Sequence, residues 1–177
     1  MLKRFIYSKK GLIITSIVFT VFIVLVLPYV SSLTEEMTHS TFSPDTGFFY
    51  SIEDFNQAMI QYGQTGRNFY ILMRWTFDVI WPMVYFTFFT TILFHLSSKH
   101  IKNQNYIILV PIAAVIMDLL ENLLASINVG IFPNQAVFLL RMLQVFSMLK
   151  WISIGLILIA IIYLLILYSI QKTKNKN

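Results

Sequence analysis

The chain has 177 residues, 57% of them hydrophobic and only 12% charged, with a formal net charge of +5. A soluble domain of this size cannot hide so much apolar surface, so lipid must cover part of it. Cysteine is absent, which excludes a disulfide framework, a thiol nucleophile and a cysteine metal site. The basic residues lie in short patches beside apolar runs rather than in a stripe, which argues against a nucleic-acid partner.

Residues 11–34 carry no charge, and about 20 apolar residues suffice to cross a bilayer core. A first spanning helix is predicted at about 11–33. A basic start, an apolar run and "SSL" also fit a secretory signal peptide, but the run is longer than a usual signal core and lacks an A-x-A site. An uncleaved helix is therefore expected. A loop follows at 34–68. Within it, Ser51 with Asp54 three residues on forms a cap pattern. Ile52, Phe55 and Met59 recur at helical spacing, and Gly63 and Gly66 supply a stop. These features predict a short amphipathic helix at about 52–63, packed at the interface or acting as a lid.

Three more spans follow, at about 69–97, 105–127 and 138–169. The Lys/Asn-rich segment 171–177 reads as a disordered tail. The expected fold is all-α: a polytopic membrane protein, one domain over 1–177, built as a four-helix transmembrane bundle with a short amphipathic helix in the first extracytoplasmic loop.

Charge sets the expected orientation. Lys3, Arg4, Lys9 and Lys10 precede the first helix, Lys99 and Lys102 separate the second and third, and Lys172, Lys174 and Lys176 follow the fourth. Nine of the 13 basic residues thus share one side, and the positive-inside rule makes it cytoplasmic, with both termini inside a cell membrane. Glu35, Glu36, Asp45, Glu53 and Asp54 fall in the opposite loop.

The remaining acids, Asp78, Asp118 and Glu121, lie within predicted spans. Arg74, Asp78, Trp81, Pro82 and Tyr85 share one helix face. Asp118, Glu121 and Asn122 share another, in "MDLLENLL", and Ser147 and Lys150 share a third. Counted from the cytoplasmic ends at 1.5 Å per residue, Asp78 and Lys150 lie about 27 Å up, Glu121 about 22 Å and Asp118 about 18 Å. All four belong to the outer half of a core about 30 Å thick. The expected site is a polar cluster open to the outer leaflet: Arg74, Asp78, Trp81, Tyr85, Asp118, Glu121, Asn122 and Lys150. Pro82 is expected to kink its helix and free a carbonyl.

Two uses compete. Ion pairs could simply lock the helices in register. Intramembrane ionisable groups also mark ligand or proton sites. If the site is catalytic, Asp118 or Glu121 would act as acid/base with Asp78 as a second carboxylate, while Lys150 or Arg74 would hold an anionic head. Trp75 and Trp151 read as interface anchors, and "YFTFF" at 85–89 as lipid-facing or core packing. His39, His95 and His100 show no metal spacing, and no phosphate loop or cofactor motif is present.

"YGQTGRNFY", "RWTFDVIWPMVY", "MDLLENLL" and "FSMLKW", spread over residues 62–151, together resemble a group of small bacterial four-helix membrane proteins of no known function. The resemblance implies that Asp78, Pro82, Asp118, Glu121, Asn122 and Lys150 act as one set, and it implies no activity. The bundle plan, with acids, Trp and Asn turned inward, also resembles in architecture the emopamil-binding, sterol-isomerase-like proteins. The expected function is binding or accessory, with the bilayer as partner and a lipid or small amphipath as ligand. An intramembrane enzyme acting on such a molecule is the alternative. A transporter fits least, because no repeat and no polar path through the inner half are visible.

Overall fold

A computed structural model describes residues 5–44, 46–98 and 106–174, with the side chains of 171–174 left aside. Lys3, Arg4, Asp45, Lys99, His100 and Lys102, and the last three residues of the chain, lie outside the described residues. The fold is all-helical, with no strand among the described residues and four helices long and apolar enough to cross a membrane.

Helix α1, Lys9–Thr38, begins where Ser8 accepts a bond from the Gly11 N–H. It passes through a π-turn at Phe22–Val26, where the Leu27 N–H reaches back five residues to Phe22 O. Pro28 stands just beyond. Its missing N–H leaves the ladder short of one bond, and a π-turn is a common way to absorb such a defect. The helix is about 45 Å long by its rise, more than a bilayer core requires. His39, in the left-handed conformation, ends it.

The second segment departs from expectation in two ways. The helix expected at 52–63 does end at Gly63 (φ 57°, ψ −174°), where the backbone leaves helical geometry, but a second helical stretch follows the kink at once, and the two together make α2, Ile52–Trp75. Glycine meets that positive φ without strain. Gly66 is a close approach rather than a stop: a Cβ there would lie 3.0 Å from Met37 O at the end of α1. The second departure is at Thr76 (φ −116°, ψ −82°), where the chain breaks before α3, Phe77–Ser97. The Thr76 hydroxyl donates back to Leu72 O at 2.8 Å, a bond that Thr91, Ser126 and Ser153 also make inside unbroken helices. Arg74 lies in the last turn of α2, and Asp78 in the first turn of α3.

Helix α4, Leu109–Gly130, and helix α5, Val137–Lys174, complete the bundle. The backbone of 171–174 continues α5 as helix, and the rest of the expected tail lies outside the described residues. Helices α4 and α5 form the most extensive seam. The first half of α1 packs on α3, and its second half on α2.

Two apolar cores result. The upper one joins Phe55, Ala58, Met59, Tyr62 and Tyr70 of α2 to Leu124, Ala125 and Val129 of α4 and to Leu140 and Leu143 of α5. The 52–63 region is therefore a packed cap of the bundle, capped in turn by the reciprocal Ser51–Asp54 bonds. The lower core holds Tyr85, Phe89, Leu93, Ala114, Ile157, Ile161 and Leu164. The buried charges Arg74, Asp78, Asp118, Glu121 and Lys150 lie between the two cores along the helices that carry them.

Candidate functional site: a charged cluster on a long cavity

The break at Thr76 faces two charges across a turn. Arg74 and Asp78 pair at 2.6 Å, and Arg74 lies over the Tyr70 ring, 4.6 Å from its centre. Pro82, four residues past Asp78 inside α3, has no N–H to offer the Asp78 carbonyl. Asn122 of α4 supplies the donor: its Nδ2 bonds Asp78 O at 2.9 Å. A proline on one helix thus creates the acceptor that an asparagine on another satisfies. An unmet buried carbonyl would cost about 1–3 kcal/mol.

Helix α4 presents Asp118, Glu121 and Asn122 on one face, and all three are buried. Glu121 is fully enclosed. Its Oε2 meets Lys150 Nζ at 2.5 Å, and its Oε1 accepts the Ser147 hydroxyl at 2.7 Å. Ser147 and Lys150 are one turn apart on α5, so a single α5 face grips both carboxylate oxygens. Asp118 takes a different partner, the Tyr85 hydroxyl of α3, which donates to its Oδ2 at 2.9 Å.

A cavity of about 690 Å³ runs beside this cluster, within the 300–1,000 Å³ range of ligand pockets. Arg74, Asp78, Trp81, Tyr85, Asp118 and Lys150 line it. Glu121 and Asn122, by contrast, are not on its wall; they hold the wall in place from behind. Trp81 is both wall and packing, stacked on Phe19 and Phe22 of α1 at 5.6 and 6.0 Å. Trp151 lines the cavity beneath Lys150, whose ammonium lies 5.3 Å from its ring centre, whereas Trp75 is half-exposed.

Two further contributions lie outside the sequence-based set. Ser147 shares the Lys150 face, but face alone does not reveal its grip on Glu121. Ser31, Thr34 and Glu35 of α1, with Ser40, Thr41, Ser43 and Thr46 of the following loop, form a hydroxyl-rich mouth. The α1 residues fall at i, i+3 and i+4, a helical spacing that points to one face, whereas the loop residues have no period. The loop is held by side chains: Gln61 donates to His39 O, Tyr62 to Phe42 O at 2.7 Å and Gln144 to Tyr50 O at 2.7 Å.

The other end of the cavity is apolar, lined by Phe88, Phe89, Ile92, Ile154, Leu158 and Ile161. From Lys150 to Ile161 is about 16 Å along α5, close to the depth of one bilayer leaflet. Its long walls are α1, α3 and α5, of which α1 packs on α2 and α3, and α5 mainly on α4 and α3.

Comparisons with protein-family models, curated proteins and solved structures found no match to the chain. The chemistry has to be taken from the geometry alone.

Proposed function

We propose that this is a multi-pass protein of the cell membrane, with both termini cytoplasmic, that binds one amphipathic or lipid molecule and serves as a binding or accessory protein. In this reading the charged end of the cavity faces the outer leaflet, and the ligand chain lies along the apolar end. One observation carries it: a single cavity holds Arg74, Asp78, Asp118 and Lys150 at one end and only apolar side chains at the other. Such a division matches a molecule with a polar head and a hydrocarbon tail.

Covalent catalysis is less well supported. Ser147 is fully buried off the cavity wall, with its proton directed at Glu121. An acid/base enzyme acting on the same molecule stays as the second reading, because Asp78 and Asp118 both reach the wall with different partners. Transport is least supported, because the cavity loses its polar lining well before Ile92.

The test is to purify the protein in a neutral detergent and identify what it retains by native mass spectrometry. The expected result is one tightly held lipid per chain, lost in Ile154→Trp, which fills the apolar end. A wild type with no retained lipid, or an Ile154→Trp variant that folds and keeps it, would overturn the proposal. Turnover of the retained lipid by wild type, abolished in Asp118→Asn, would promote the enzyme reading.

A further inference from the structure

The charges on the cavity wall are layered. Lys150 faces the cavity while its partner Glu121 lies buried behind it. At that level Arg74 and Lys150 reach the wall with their carboxylate partners, Asp78 on the wall and Glu121 behind it, so the four charges cancel while the Lys150–Glu121 pair turns its positive end to the cavity. Asp118 comes three residues earlier on α4 than Glu121, about 4.5 Å further from the loop. There it presents a carboxylate beside the rings of Trp81 and Tyr85, which meet edge-on at 5.6 Å. Beyond Asp118 the wall is apolar. Glu35, at the mouth, is exposed and therefore screened by solvent.

A ligand whose chain fills the apolar end meets these layers in a fixed order. Next to the chain stands a negative carboxylate with two aromatic rings, surroundings that favour a cation. Further out stand the cationic ends of an arginine and a lysine, with the lysine's carboxylate partner withdrawn behind it, a setting that favours a sulfonate, phosphate or carboxylate. We propose that the site takes a zwitterionic amphipath whose cationic group adjoins the chain and whose anionic group lies beyond it. The proposal rests on the cavity binding an amphipath, as above, and adds the order of the head-group charges. The reverse order would set an anion against Asp118 and a cation against Arg74 and Lys150. Like-charge contacts in a desolvated site are strongly disfavoured.

Two probes with equal chains and opposite orders decide the matter. Dodecyl sulfobetaine has its ammonium next to the chain and its sulfonate outside. Dodecylphosphocholine has its phosphate next to the chain and its ammonium outside. Each is added at the same mole fraction to the protein in neutral glycoside micelles, and bound probe is counted by native mass spectrometry. Wild type is expected to favour the sulfobetaine by about tenfold or more. Asp118→Asn, which keeps an acceptor for Tyr85, is expected to remove the preference. Equal binding, preference for phosphocholine, or an unchanged preference in Asp118→Asn would overturn the charge order. If both probes bind equally and Ile154→Trp removes both, the cavity proposal stands and only the order fails. If wild type retains neither, the cavity proposal itself fails.

Discussion

Glu121 and Asp118 are carboxylates one turn apart on the same face of α4, yet they belong to different parts of the molecule. Glu121 sits in the closed seam between α4 and α5, fully enclosed, with both oxygens held by α5. Asp118 sits on the open side, on the wall of the cavity bordered by α1 and α5. The difference shows that a shared helix face does not imply a shared role. A charge gripped on both oxygens fixes register, whereas a charge on a cavity wall can meet a ligand.

The closed seam should be the more sensitive of the two. Lys150→Met would leave Glu121 buried with its charge uncompensated, and breaking such a pair costs about 3–5 kcal/mol. Equilibrium unfolding in detergent should show that loss. Replacing both residues, in Glu121→Met with Lys150→Met, should recover most of it, because apolar substitutes for a whole buried pair are often neutral. A double variant as unstable as the single one would mean that the seam needs the charges themselves.

A smaller effect tests the link between α3 and α4. Asn122→Leu should cost about 1–3 kcal/mol by removing the buried bond that its Nδ2 donates to the Asp78 carbonyl. In a Pro82→Ala background the new N–H at position 82 can return to that carbonyl, so Asn122→Leu should cost clearly less. The double-mutant cycle measures the coupling. Equal costs in both backgrounds would show that Asn122 does not serve the proline-freed carbonyl.

This link also shows what the sequence makes legible. Pro82 announces a freed carbonyl by chemistry alone, and spacing puts Asn122 on the Glu121 face. Which helix answers which is decided by packing, so the Asn122–Asp78 bond is out of reach of spacing. The four apolar helices are readable because lipid demands long uncharged runs. The break at Thr76 is not, since "RWTFD" holds neither Gly nor Pro, and a hydroxyl bonding back one turn, as Thr76 does to Leu72 O, also occurs inside unbroken helices. The burial of the 52–63 region is half readable. Phe55, Met59 and Tyr62 mark its apolar face at helical spacing, but Tyr70 enters the same core only because the chain turns at Gly63 and continues. The hydroxyl mouth is half readable: Ser31, Thr34 and Glu35 share a face of α1, but Ser40, Thr41, Ser43 and Thr46 of the loop follow no period.

Asp118 should give the smallest change in stability and the sharpest contrast with Glu121. Asn at 118 keeps the shape and an oxygen to accept the Tyr85 hydroxyl, so the hydrogen bond to α3 survives and only the charge is lost. Net contributions of single hydrogen bonds are about 0.5–1.5 kcal/mol, and most of that is retained, so the expected shift in unfolding free energy is under about 1 kcal/mol. Lipid retention and head-group preference should change instead, because the wall has lost its innermost charge. Unfolding measurements on Asp118→Asn and Lys150→Met under one condition make the comparison direct. If Asp118→Asn falls as far as Lys150→Met, then Asp118 is a second register lock, the cavity wall carries no charge reserved for a ligand, and the division between closed seam and open side collapses.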